Sequence, residues 1–583
     1  MKYVPRFPLL PLLCTLLCFN CLTQDKETNR IPTGYASDDP GFAPPTIKKS
    51  IAQTLQGRPD LSIDEQIALY RRLRKEDPMG YNFDNEDEMT MYGYRLLWND
   101  EPDKALQIFK LIVEVFPESS NPYDSLGEAY LVLGDSLRAL KNYNISLKIN
   151  PENFNAEDQI ARIQNPGIKF PSLSEKFRMQ YGAAAYREDL VELGEKLLKY
   201  HPHALKFTTL EEFQRTLNAK QRLIDETTTF AEFAWHCSEL IALIKCSHTG
   251  MGSFFLESEM LPPDRRFPLR VRLIENELYL TKDAPEAGII TKDRIVAING
   301  ESVPDLVQDV FRHMQSQGNV STSKVHSFNR WSSVLIPYAL DFPEHFEIQI
   351  ASHPKPIAIS ASASAGAPTM DAPYTTCMKD FCLDWLDAKK TAVLTLPSFN
   401  FYPWNNLDLF EEFLDSSFAQ IRENTTEKLI IDLRGNGGGS PQAGVYLLRH
   451  LTEKPFVYFP QADNDTQTVQ PIENRFGGKV LFLIDGDGKS TTGHVMALVK
   501  EHKLGIIVGE ELGSNHFCTA GQTLLRLKNT RLEFYVANTA SSVLVKSLPD
   551  DRGILPDFAI NQDIDDYLNG IDTVLKYAME LVP

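Results

Sequence analysis

The sequence predicts a multidomain α+β protein: an N-terminal all-α part built of helical repeats, a helical subdomain, a small β unit and an α/β core. Three observations carry that expectation. Gly93, Ala105, Phe109 and Pro117 recur 34 residues later as Gly127, Ala139, Tyr143 and Pro151, the period of a helix-turn-helix repeat. Farther on, the segment from Leu269 to Leu280 begins by alternating, and Ala287-Gly288-Ile289-Ile290 leads into Asp293 to Gly300, so that strand, glycine turn and second strand form a β unit. After Cys377 apolar strands and amphipathic helices alternate, the signature of an α/β layer.

Length and charge bound the possibilities. At 583 residues the chain is too long for one core, and 43% hydrophobic with 23% charged residues is the composition of packed globular domains rather than of a disordered chain. A net charge of -19 repels a phosphate backbone, and the basic run Arg71-Arg72-Leu73-Arg74-Lys75 passes straight into Glu76-Asp77. No nucleic-acid partner is expected.

Residues 1–24 read as a signal peptide: Lys2 and Arg6, then an apolar stretch through Leu22 that is too short for a membrane span. The expected location is therefore outside the cytoplasm, periplasmic or associated with the cell envelope, with no integral membrane domain. Cys21 near the end of the leader leaves lipid anchoring open. Cys237, Cys246, Cys377, Cys382 and Cys518 remain for the mature chain, and their spacing yields neither a disulfide framework nor a zinc pattern. No metal or other cofactor is expected.

The elements follow in order. Residues 25–50, rich in Pro, Asp and Gly, read as a linker, and 51–88 as a helical segment. Residues 89–160 hold the two repeats, in which small residues let paired helices approach, aromatics fill the gap and Pro ends each unit. Residues 168–262 are helical, with apolar residues at three- and four-residue steps. The β unit spans 263–350, and the α/β core 375–570. In the core we expect strands at Ala392 to Leu396, Lys428 to Leu433, Lys479 to Ile484 and Gly505 to Val508, with helices at Leu407 to Ile421, Pro441 to Leu451 and Thr491 to Lys500.

Three segments carry chemistry. Cys246-Ser247-His248-Thr249-Gly250 lies where a helix ends and a strand begins, which sets the imidazole at a domain junction; a single histidine there is by itself more often structural. Ile430-Ile431-Asp432-Leu433-Arg434-Gly435-Asn436-Gly437-Gly438-Gly439 runs a buried strand into a glycine loop. Such a loop can turn several N–H groups toward one point and stabilise an oxyanion. The third segment is Asp485-Gly486-Asp487-Gly488-Lys489-Ser490-Thr491 between a strand and an apolar helix. A phosphate loop would need glycine five residues before Gly488, where Leu483 stands. A serine at a strand-to-helix turn suits a nucleophile instead, with the Thr491 N–H at the positive end of the helix.

Taken together with Arg552-Gly553-Ile554-Leu555-Pro556-Asp557, these motifs resemble the tail-specific and tricorn-core protease family over roughly residues 168 to 570. The resemblance implies a PDZ-like unit at 263–350, a ClpP/crotonase-like core, and an exported serine peptidase that hydrolyses peptide bonds through an acyl-enzyme. The residues at 89–160 resemble tetratricopeptide repeats, a surface for a protein partner. One branch of the family uses a lysine base, but the corresponding position here holds Asn515. The tricorn branch instead implies Ser490 as nucleophile, His248 as base, Ser247 as the next link, and Asp550 as the late acid, with Asp551 leaving that choice open.

Gly437 or Gly438, with Thr491, would form the oxyanion hole. Where relatives often carry Glu three residues past the nucleophile this chain has Gly493, and His494 beside it is a second possible base. The implied substrate is a peptide or unfolded protein, its C-terminus included. Within the same superfamily, retinoid-binding proteins resemble this fold without catalysis, so a non-catalytic ligand- or peptide-binding protein is the alternative, and a scaffold dominated by its repeats a third.

Overall fold

The computed structural model describes residues 49–251, 255–362, 377, 381–386, 390–401, 407–460, 468–473 and 475–581. The leader at 1–24, Cys21 and all but the last residues of the linker lie outside them. The described residues form a mixed helical and sheet protein of several packed units.

Helices Asp87–Trp98, Pro102–Val115, Asn121–Val132 and Ser136–Ile149 follow one another and pack in series. The repeated positions explain how. Gly93 faces the Phe109 ring and Gly127 the Tyr143 ring so closely that a Cβ would meet ring carbons at 2.4 and 2.9 Å. Ala105 and Ala139 are fully buried beside them. Helices Ile51–Gln56 and Ile63–Glu76 cover one end of this array in a shared apolar core. At the other end, helix Phe154–Gln164 meets the rest of the chain through charge. Arg526, itself buried, pairs with Glu157 at 2.6 Å and Asp158 at 2.9 Å and lies over the Phe154 ring, and Arg531 also pairs with Asp158.

Helices Ala183–Tyr200, Leu210–Leu223 and Phe230–Ala242 share one core with an antiparallel sheet of spatial order Val271–Ile274, Glu277–Leu280, Arg294–Ile298, His345–Ile350, Ile357–Ser360. The sheet thus runs ten residues past the expected end at 350. The same core takes in a late hairpin, Thr523–Arg526 with Glu533–Val536. Asp189, fully buried, holds the hairpin's turn by accepting from the Asn529 and Thr530 amides and the Thr530 hydroxyl.

The α/β core has a sheet of order Phe558–Ala559, Ile506–Gly509, Lys479–Ile484, Lys428–Asp432, Thr391–Thr395, Cys382–Leu386, parallel throughout except for its last pair. The alternating strands and helices expected after Cys377 fall within two residues of these bounds. Central strands are buried on both faces, which is why they read as unbroken apolar runs. One correction concerns the cysteines: Cys377 and Cys382 form a disulfide at the sheet's edge strand, so two of the five cysteines after residue 24 are paired where no disulfide was expected. Among the described residues no helix is long and apolar enough to cross a membrane.

Candidate active site

Ser490 stands at the C-terminal end of strand Lys479–Ile484, as the residue before helix Thr491–His502. Its backbone is at φ 53°, ψ -122°, a conformation that costs a non-glycine residue on the order of 1–3 kcal/mol and is tolerated where surroundings enforce it. Those surroundings come from the glycine loop. Asn436, fully buried, accepts from the Lys489 amide through its carbonyl, from the Thr492 hydroxyl, and from the Gly438 amide through Oδ1, while donating from Nδ2 to the Leu396 carbonyl. The Thr491 hydroxyl donates to the Gly439 carbonyl at 2.6 Å. Loop and turn are therefore one hydrogen-bonded body.

This bonding discriminates between the two glycines. The Gly438 amide is committed to Asn436 at 2.9 Å, whereas Gly437 is exposed with nothing within 4 Å of where a Cβ would be. The Thr491 amide, at the start of a 12-residue helix, has no backbone or side-chain acceptor in the described structure and lies at the positive end of the helix dipole. The Asp432–Arg434 pair in the same motif does something else. Arg434 is buried and bridges Asp432 and Asp572 by paired hydrogen bonds of 2.6–2.9 Å, fixing the loop's root to the C-terminal helix.

His248 and Ser490 are seated on neighbouring residues of one strand, Phe517–Ala520. The His248 amide donates to Cys246 Sγ at 3.3 Å, Cys246 Sγ lies 2.9 Å from Thr519 Oγ1, and Cys518 Sγ donates to Ser490 Oγ at 3.7 Å. The late hairpin holds the next residues: Gly250 pairs with Tyr535 in both directions, and the Thr249 hydroxyl accepts from the Ala537 amide. No hydrogen bond joins His248 to Ser490 here. Ser247 Oγ is 3.2 Å from His248 Nδ1. Burial, with the Lys489 charge close by, pushes the His248 imidazole down to about 4, so it is neutral at pH 7 and able to accept a proton.

The other candidates fall elsewhere. The Asp550 carboxylate pairs with Lys206, and its backbone carbonyl accepts from Asn515; it makes no hydrogen bond to Ser247 or His248. The Asp551 carbonyl accepts from the Asn319 amide at 2.6 Å. His494 is buried with both ring nitrogens unpartnered, edge-on to Tyr458 and Phe459 at ring distances of 6.0 and 5.5 Å; burial pushes it down to about 3. Asn436 and Cys518 were not singled out from the sequence. The asparagine lay inside the glycine motif and could have been found there. Burial pushes the Cys518 thiol up to about 12, which keeps it protonated beside Ser490.

Residues 390–560 match the model of peptidase family S41. Among solved structures the chain is similar to mature CPAF (12% identity, 68% of this chain and 96% of that one, TM-score 0.45), to a putative peptidase from Parabacteroides merdae (15%, 68% and 96%, 0.36) and to the photosystem II D1 C-terminal processing protease (14%, 67% and 98%, 0.33). No curated protein matches the sequence.

Proposed function

We propose that the chain is an exported serine peptidase that cleaves polypeptides through an acyl-enzyme at Ser490. The observation that carries this reading is the Ser490 turn, which combines a positive φ with close contact to the glycine loop. Ser490 Oγ attacks the peptide carbonyl carbon and its proton passes to His248 Nε2. The oxyanion is held by the Gly437 and Thr491 amides. His248 then protonates the leaving amine, and water, deprotonated by the same imidazole, releases the acyl group.

Ser247 orients the imidazole through Nδ1. Asp550 is the acid of this reading, and it must leave Lys206 to join the relay. The antiparallel sheet at 271–360 is the proposed PDZ-like unit, where an extended or C-terminal segment of substrate adds to an edge strand. The helical array at 87–149 is proposed to be tetratricopeptide-like and to offer a partner surface. Export through residues 1–24, with or without a lipid at Cys21, belongs to the same proposal.

The test is hydrolysis of a diverse peptide library by the protein without its leader, beside Ser490→Ala and His248→Ala, all checked for native circular dichroism. Loss of most activity in both variants is expected. A wild type inert toward peptides and toward a fluorophosphonate serine probe would favour a non-catalytic binding protein on the same fold.

A further inference from the structure

Behind the Ser490 turn lies a cluster of charged side chains that the mechanism above does not use. His326, on helix Thr322–Ala339, places Nδ1 at 3.2 Å from Asp487 Oδ2 and Nε2 at 2.7 Å from Glu510 Oε2. Asp487 belongs to the turn after strand Lys479–Ile484, and Glu510 directly follows the neighbouring strand Ile506–Gly509. Carboxylates accept hydrogen bonds and do not donate, so only an imidazolium satisfies both contacts at once. The ring has 11% of its surface exposed and the two carboxylates 15% and 20%, little enough for these charged bonds to be shielded from water.

The geometry points to His326 as a positioning residue for Ser490: a doubly hydrogen-bonded cation that clamps the turns leaving two adjacent strands of the core sheet. This rests on the reading of Ser490 as nucleophile. The clamp reaches the glycine loop as well, because Asp485 Oδ1 accepts from both the Asp487 amide at 3.1 Å and the Gly435 amide at 3.0 Å. The backbone of Gly486 packs on the first residues of the His326 helix, a Cβ there falling 2.5 Å from the Thr322 carbonyl carbon, and the Thr322 hydroxyl donates to the Glu511 carbonyl at 2.7 Å. One helix thus presses on the turn, and one of its side chains pins it.

The groups facing His326 are Asp487, Glu510 and Asp485, with Arg330 on its own helix paired to Asp487 at 2.8 Å, Arg272 acting on Glu510, and Lys489 acting on Asp487. Burial by itself would lower the imidazole's affinity for a proton. The charges of Glu510 and Asp487 outweigh it and hold His326 well above the ordinary imidazole range. A group raised in this way contributes stability in full below its unfolded value of about 6.5, and loses it as pH rises through the folded value.

The experiment compares wild type with His326→Gln for three quantities: the rate of Ser490 labelling by a fluorophosphonate, kcat and KM on a cleaved peptide, and amide hydrogen exchange over residues 485–491. We expect labelling and kcat to fall roughly 10- to 100-fold with KM little changed, and exchange over 485–491 to rise. We also expect an alkaline fall in the wild-type labelling rate that the variant lacks. Glu510→Gln, which leaves the Asp487 contact, should shift each quantity in the same direction by less, and it serves if His326→Gln does not fold. Unchanged exchange overturns the clamp; raised exchange with unchanged labelling overturns the positioning role. A wild type that never labels defeats the nucleophile reading instead, and exchange then decides the clamp by itself.

Discussion

Gly438 lies against Ser490 so tightly that a Cβ on the glycine would stand 2.7 Å from the serine Cβ and 2.6 Å from the Lys489 carbonyl oxygen. The glycine is also at φ 93°, where an L side chain is strained. Gly438→Ala should therefore push the loop off the turn, lowering peptide hydrolysis at least ~100-fold while costing ~1–3 kcal/mol of stability. Paired kinetics and thermal unfolding check this; full activity in a folded variant would remove the loop from the site.

His248 is held down to about 4 by burial, and as the proposed base it should set the acid side of the pH profile. kcat/KM should stay level from pH 7 to about 5 and drop below as the imidazole takes a proton. An inflection near 6.5, the value of a solvated histidine, would mean that the base is not His248 as it sits here.

His494 is enclosed by Tyr458 and Phe459 with both nitrogens unpartnered. Replacing it with Gln should cost stability more than rate, leaving fluorophosphonate labelling within ~10-fold of wild type. A loss as large as that of His248→Ala would make it the base.

In the repeats, Gly93→Ala places a methyl 2.4 Å from the Phe109 ring. Denaturant unfolding should show a loss of ~1–3 kcal/mol, with catalysis per folded molecule unchanged.

Asp87 supplies a second pH signature. Burial, reinforced by the Glu86 and Glu88 charges, raises its carboxyl to about 8. A raised carboxyl contributes stability that is complete below its unfolded value of about 3.9 and is lost as pH rises from there to the folded value. Asp87→Asn should match wild type near pH 3 and exceed it at pH 9 by ~1 kcal/mol or more, read from melting temperature at the two pH values.

What the sequence made legible was local. The strand Lys479–Ile484 is an unbroken apolar run ended by Asp485, and the glycine loop after Asp432 announces itself by composition, so the α/β core and the Ser490 turn could be placed from pattern alone. The repeats were legible because Gly93 and Phe109 recur as Gly127 and Tyr143. What stayed hidden depends on partners far along the chain. Nothing in Glu533–Val536 tells that it pairs beside His248, nor in His326 that it reaches Asp487 and Glu510. An odd number of cysteines gave no reason to join Cys377 to Cys382. Asp550 was assigned by its place beside a motif, whereas its present partner, Lys206, sits in a segment that carries no motif.

The hairpin that seats the His248 segment is made late. Gly250 and Thr249 find their partners at Tyr535 and Ala537, so a chain halted before Glu533 lacks the residues that anchor the His248 segment. Such a truncated chain is expected to leave Ser490 unlabelled by a fluorophosphonate. The anchoring of the candidate base is therefore among the last contacts along the chain to become available.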